Sequence, residues 1–280
     1  MINALTIDVE DYFQVSALEA HFPREQWPNV QCRVEPNIDR ILELLDQGGA
    51  KATFFTLGWI AERYPRMVRR IVAQGHELAS HGYFHRRATE MSQSEFSDDV
   101  GRAKKILEDI GGTLVQGYRA PSFSFSKRNP WVFDVLLAQG YRYSSSVYPV
   151  KHDHYGIPDA PRVPYASRIG LLEIPVTTAR VLRQNIPAGG GGYFRFLPYS
   201  VSRWLIRQVN DVERQPSIFY FHPWEIDAGQ PRVAGLSAKT RFRHYVNLNR
   251  TESRLQALFR DFSWDRMDRV YAKPLREMPQ

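Results

Sequence analysis

Two histidines stand four residues apart in His81-Gly82-Tyr83-Phe84-His85. On a helical turn that spacing puts both imidazoles on one face, where they can share a divalent ion. Gly82 follows the first histidine, so this is not the His-Glu-x-x-His of zinc proteases. Three carboxylates fall within four residues in Asp8-Val9-Glu10-Asp11. Like charges so close repel one another, and either a shared cation or plain loop solvation would explain the cluster. Together with the histidines they compose a metal site of two imidazoles and a carboxylate with open positions, and a spare carboxylate could act as general base. Arg119, in Arg119-Ala120-Pro121-Ser122-Phe123, is either a salt-bridge partner or a counter-charge aimed at an active-site aspartate. His222, in Phe221-His222-Pro223-Trp224-Glu225, suits a general acid, or equally a buried structural histidine.

These clusters need a scaffold that brings them together. Residues 4–7 read as a strand that ends in the carboxylates. Residues 37–45 carry apolar positions at helical spacing and close on Gly48-Gly49. Residues 52–57 form a buried strand, Pro65 opens a helix that stops at Gly75, and 77–80 form a strand that delivers His81. The longest helix runs over about residues 94–110. Further strands are predicted near 114–118, 142–147, 171–176 and 217–221, and helices near 130–139, 199–213 and 250–261. Repeated strand–helix alternation predicts a parallel α/β architecture. The polar clusters fall just after successive strands, where a β/α barrel gathers its catalytic loops. The expected fold is therefore a distorted, seven-stranded (β/α) barrel with extra C-terminal helical and loop elements. Residues 148–164 and the Gly189–Gly192 run read as loops, the second flexible. The run is not a phosphate-binding loop, because no Lys-Ser/Thr follows it.

The composition is that of a folded protein, with 43% hydrophobic, 24% charged and 13% aromatic residues over 280 positions. Aromatics at that level suit a carbohydrate groove or simply a large core. No window approaches the roughly 18 apolar residues needed to span a bilayer. The N-terminus lacks the features of a signal peptide, so a cytoplasmic protein is expected. The single cysteine, Cys32, excludes an internal disulfide and a cysteine-rich zinc site. Residues 180–280 hold 17 Lys/Arg against 9 Asp/Glu, whereas residues 1–179 hold 20 against 21. Such a basic half could attract an acidic glycan, or support peripheral membrane or biosynthetic-complex association. No zinc-finger, RRM or basic-helix signature is present, which argues against nucleic acid.

In this order, the strand-end aspartate, the spaced histidines, Arg-x-Pro and the late strand-end histidine resemble the NodB-type polysaccharide deacetylases, carbohydrate esterase family 4. The similarity covers roughly residues 3–225. It is closest to the branch associated with exopolysaccharide loci and the exosortase system, through TIDVEDYFQV (residues 6–15) and FYFHPWEID (residues 219–227). That branch carries an additional C-terminal region, matched here to about residues 193–275 and expected to pack on a single barrel domain spanning 1–280.

The resemblance implies a role for each position. Asp8 would be the catalytic base, His81 and His85 metal ligands, and Arg119 the residue that positions the base. The N–H of Ser122 would help stabilise the oxyanion, and His222 would protonate the departing amine. The cofactor implied is one divalent ion, zinc by default, and the substrate a polysaccharide or oligosaccharide bearing N-acetyl groups. Val9 stands where the family often has a second aspartate, so the third ligand falls to Glu10, or alternatively Asp11. Gly82 replaces a usual Ser/Thr. Ser144-Ser145-Ser146 stands where an aspartate often orients the histidine, with Glu225 as substitute. Tyr193 and Trp224 are candidates for the substrate rim. Two other readings keep the same residues: a small-molecule amidohydrolase of allantoinase type, and a degenerate protein that binds sugar without catalysis. No Gly-x-Ser-x-Gly elbow or dinucleotide fingerprint is present.

Overall fold

The computed structural model describes residues 1–152 and 156–278; within the 148–164 stretch, residues 153–155 lie outside the described residues. The parallel strands are β1 (Ile2–Val9), β2 (Thr53–Thr56), β3 (Glu77–Ser80), β4 (Gly117–Tyr118) and β5 (Tyr143–Ser144). They are followed by the short antiparallel β6 (Tyr165–Ala166), β7 (Leu172–Glu173), and a separate hairpin of β8 (Thr178–Val181) and β9 (Gln184–Pro187). The last two strands are β10 (Ile218–Phe221) and β11 (Ser263–Asp265). Seven strands run parallel in the path β10-β1-β2-β3-β4-β5-β7, curled into the expected distorted barrel. β6 edges β7, and β11 adds to β1.

Helices cover the outside: α1 (Val34–Gln47), α2 (Gly58–Arg63), α3 (Pro65–Ala73), α4 (Gln93–Gly111) and α5 (Val132–Ala138). The C-terminal part adds α6 (Gly191–Phe196), α7 (Tyr199–Arg207), α8 (Ala238–Tyr245), α9 (Leu248–Asp261), α10 (Met267–Val270) and α11 (Ala272–Glu277). None of the helices among the described residues is long and apolar enough to cross a membrane.

Side-chain alternation along the strands decides what reaches the site. Leu5, Ile7 and Val9 of β1, Phe54 of β2, Leu78 of β3 and Phe219 and Phe221 of β10 point outward into one large core beneath the helices. Ala4, Phe55, Ala79, Tyr143, Leu172 and Ile218 point inward, where Met267, Tyr271 and Leu275 of α10 and α11 plug the bottom of the barrel. The inward phase continues upward as Thr6 and Asp8 on β1, His81 after β3, Arg119 after β4 and His222 after β10. The chemistry therefore sits at the C-terminal mouth, above an apolar floor.

Several sequence expectations need correction. The strands expected near 114–118, 142–147 and 171–176 pair as full ladders over only two residues each. Single bonds prolong the contact, such as Ser145 N–H to Tyr118 O at 2.9 Å and Ile174 N–H to Ser144 O at 2.8 Å. The helix expected over 199–213 ends at Arg207 and continues as a π-turn over Gln208–Val212.

The Gly189–Gly192 run is not a flexible loop. It is the seam that joins the two ends of the parallel path. Ala188 N–H donates to Thr177 O at 3.1 Å, and Tyr220 N–H donates to Gly189 O at 2.7 Å. Gly190 then bridges Tyr220 at φ +105°, where a Cβ would lie 2.2 Å from the Tyr220 carbonyl oxygen. Only glycine can pass there. Gly190→Ala is expected to cost about 2–4 kcal/mol of unfolding free energy, from combined strain and backbone collision, as measured by denaturant unfolding.

Candidate active site

Arg119 is fully buried at the centre of the barrel mouth. Its Nη1 donates to Asp8 Oδ1 and to Thr6 Oγ1, each at 2.7 Å. Nε donates to Ser145 O at 3.1 Å and Nη2 to Ser145 Oγ at 3.0 Å, while Cζ lies 4.2 Å from the centroid of the Phe55 ring. Ser145 is itself held in place. Glu173 Oε1 accepts the N–H groups of Ser146 at 2.9 Å and Val147 at 2.8 Å. The serine triplet thus serves Arg119 rather than His222.

The two histidines do come together, with ring centroids 5.3 Å apart, but not on a helix. Residues 81–85 form an irregular turn with Gly82 at φ +78° and His85 at φ +53°. Asp99 of α4 holds it, accepting the N–H of Tyr83 at 2.9 Å and of Phe84 at 3.4 Å. A Cβ on Gly82 would stand 2.7 Å from Asp99 Oδ2, so a serine or threonine does not fit there. The first N–H groups of α2 bind the same turn, Gly58 to Gly82 O at 2.9 Å and Trp59 to Tyr83 O at 3.2 Å. Packing thus replaces helical periodicity as the cause of the convergence.

Glu10, His81 and His85 offer one atom each within 4.8 Å of one another, all buried. His81 Nδ1 lies 2.8 Å from Arg119 O; as that carbonyl can only accept, Nδ1 carries the proton and Nε2 keeps its lone pair. Glu10 Oε2 lies 2.6 Å from His85 Nε2 yet has no aligned hydrogen-bond partner. Its other oxygen accepts Trp224 Nε1–H at 3.2 Å. Asp8 and Glu225 each face an arginine, whereas Glu10 has neither Arg nor Lys beside it among the described residues. Burial raises the Glu10 pKa, but the charges of His85, His222 and His81 outweigh it and hold the group at about 2. Burial drives His81 down to about 4 and keeps it neutral. Two imidazoles and an ionised carboxylate with no Arg or Lys beside it fit a divalent cation. Asp11 faces elsewhere: its carboxylate accepts Tyr12 N–H at 2.7 Å, Val34 N–H at 2.9 Å, Cys32 Sγ–H at 2.9 Å and Arg33 N–H. It anchors the start of α1.

His222 faces both carboxylates, with Nε2 3.9 Å from Asp8 Oδ2 and 3.7 Å from Glu10 Oε1. Its Nδ1 lies 2.6 Å from Glu225 Oε1, and Glu225 Oε2 accepts Arg195 Nε–H at 2.5 Å. Arg195 also donates to the carbonyls of Arg243 at 3.0 Å and His244 at 2.8 Å. Burial lowers the His222 pKa, but Glu10, Glu225 and Asp8 raise it to about 9. Burial raises Glu225, but Arg195 and His222 bring it down to about 2. Trp224 is buried and lines the wall of the cavity over Asp8. It stacks between His222 and His244, at interplanar angles of 20° and 12°. Tyr193 is half-buried and lines a neighbouring groove instead of the cavity over Asp8. Ser122 lines that cavity in a left-handed conformation (φ +54°), and its N–H donates to no group among the described residues. The cavity holds about 460 Å³.

Arg195, Asp99 and Thr6 were not legible as site residues. Each acts across the fold through polar contacts with residues distant in sequence, and nothing in its local sequence marks it.

An inward-facing Asp–Arg pair, a cluster of two histidines and a carboxylate, and a buried His–Glu–Arg chain at a barrel mouth define a hydrolase-like site. Comparison with known proteins agrees. Residues 28–144 match the polysaccharide deacetylase model, and residues 145–272 match a domain of unknown function (DUF3473). The peptidoglycan deacetylase of Helicobacter pylori is 29% identical over 136 residues, covering 49% of this chain and 42% of that protein. A chitooligosaccharide deacetylase from Bradyrhizobium sp. is 34% identical over 110 residues, covering 39% of this chain and 45% of that one. The chain thus spans less than half the length of these relatives. Among solved structures, a putative polysaccharide deacetylase from Mycobacterium smegmatis superposes with a TM-score of 0.62 at 19% identity, covering 99% of this chain and 91% of that one, and shares its fold. Residues 28–144 thus carry the similarity to polysaccharide deacetylases, and the segment that follows carries the similarity to the domain of unknown function. His222, Trp224, Glu225 and Arg195 all lie in the segment matched to the domain of unknown function, which also supplies β7, β10 and β11 to the sheet.

The ligand geometry separates two adjacent carboxylates. Glu10→Gln is expected to bring bound divalent metal, measured by elemental analysis of the purified protein, to below about a tenth of the wild-type content. Asp11→Asn is expected to retain the metal and lose about 1–3 kcal/mol of unfolding free energy.

Proposed function

We propose that this protein is a metal-dependent hydrolase that removes N-acetyl groups from an N-acetylhexosamine-containing polysaccharide, with residues 1–280 working as one unit. The observation that carries the reading is the division of labour among three buried carboxylates. Asp8 is paired to Arg119, Glu225 is paired to Arg195, and Glu10 is left for a cation beside two histidines.

Glu10, His81 and His85 would hold the ion, zinc by default. When bound, it would polarise the acetyl carbonyl and acidify a water. Asp8 accepts the proton of the attacking water through Oδ2, because Oδ1 is committed to Arg119. The unengaged N–H of Ser122 faces the charge that develops on the acetyl oxygen. His222 delivers a proton from Nε2 to the departing sugar amine, while Glu225 holds Nδ1 and fixes the ring. The products are acetate and a free amino sugar.

Two outcomes are expected. Asp8→Asn should keep its metal and lose about 10²–10⁴-fold in kcat for acetate release from N-acetylglucosamine oligomers; deacetylation at the wild-type rate would remove Asp8 as the base. Activity should also fall at alkaline pH as His222 loses its proton. Glu225 favours the protonated ring, so Glu225→Gln should move that alkaline limb to lower pH. A bound cation offsets the share contributed by Glu10, so the substitution isolates the share of Glu225. A limb that stays in place would show that His222 is not the titrating acid.

A further inference from the structure

The cavity over Asp8 does not end at its own wall. A second groove of about 500 Å³ adjoins it, and Gly192 and Tyr220 line both. Tyr193 and Phe196 of α6 and Phe242 of α8 form much of the second groove. Phe196 and Phe242 are 55% and 54% exposed, with their rings edge to face at 5.8 Å. A pair of large aromatic side chains kept in water beside a reaction cavity marks a binding surface.

Gly192 stands at the junction, and neither the backbone nor the packing requires glycine there. Its φ is ordinary, and a Cβ would meet nothing within 4 Å. The preceding glycines differ. A Cβ on Gly190 would lie 2.2 Å from Tyr220 O, and one on Gly191 would lie 2.5 Å from Tyr220 Oη. Those two are glycine so that the seam can close. At 192, a side chain would be accommodated by the fold but would stand in the passage between the cavities.

We infer that the two cavities form one trough. The sugar being deacetylated lies over Asp8, and the adjoining sugar of the same chain crosses Gly192 to rest on Tyr193, Phe196 and Phe242. This rests on the deacetylase reading above. A pyranose offers the weakly positive edges of its C–H groups to an aromatic face, while its hydroxyls stay in water at the rim. Continuity selects the occupant, because a polymer whose acetamide enters the first cavity must leave across one of its edges, and this edge is open and aromatic.

The test compares kcat/KM for the monomer and the hexamer of N-acetylglucosamine in wild type, Gly192→Val and Phe242→Ala. In both variants the hexamer should lose at least tenfold, chiefly through KM, and the monomer at least fivefold less than the hexamer. Equal losses on both substrates, or no loss on the hexamer, would overturn the trough. Hexamer binding to the metal-loaded protein, measured by calorimetry in an Asp8→Asn background, reads the trough without turnover. Adding Gly192→Val there should weaken Kd at least tenfold, and an unchanged Kd would overturn the inference. Wild type that binds the hexamer but releases no acetate would count against the deacetylase reading and leave the trough standing.

Discussion

The contact between Arg119 and Asp8 organises this protein. A guanidinium with no solvent exposure is costly to bury unless its donors are used, and Asp8, Thr6 and Ser145 take four of its five N–H groups. Those partners come from β1 and from the end of β5, while Arg119 itself follows β4, so the barrel must be curled correctly before the arginine is satisfied. The same residue reaches the metal cluster through its backbone, since Arg119 O takes the Nδ1 proton of His81. One residue thus sets the orientation of Asp8 by its side chain and the tautomer of His81 by its carbonyl.

The second half of the chain completes what the first half begins. Asp8, Glu10, His81, His85 and Arg119 precede residue 145, but the proposed acid, its glutamate and the arginine behind it follow. Arg195 fastens Glu225 to the carbonyls that end α8, and Trp224 reaches across to Glu10. The domain of unknown function therefore adds strands to the barrel and polar groups to its mouth, and its aromatic residues extend the cavity sideways past Gly192. Charge balance gives this arrangement its logic: two buried carboxylates carry arginines, and the third is shaped for a cation.

Much of this was legible from residue order because strands report themselves locally. Short apolar runs ending in polar residues placed Asp8 and His222 at strand ends, and the parallel path followed from strand–helix alternation. What was not legible depends on long-range packing. The turn carrying His81 and His85 looked helical by spacing, but Asp99, from a helix further along the chain, pins it in an irregular form that requires Gly82. The glycine run at 189–192 looked flexible, because the group that holds it is the backbone N–H of Tyr220 and no neighbour in sequence. Trp224 looked like a rim residue by type, and the structure adds that its indole N–H reaches inward to the buried carboxylate of Glu10 while its ring lines the cavity. Asp11 was indistinguishable from Glu10 until the start of α1 claimed its oxygens.

The central claim is that Asp8 stands outside the metal coordination sphere and is free to take a proton. Anomalous diffraction at the metal edge, from crystals grown with a divalent transition metal, tests it directly. The account expects one peak at about 2.0–2.2 Å from Glu10, His81 and His85, with Asp8 still paired to Arg119 and well beyond bonding distance. A peak with Asp8 in its coordination sphere, or one held by Asp11, would contradict it.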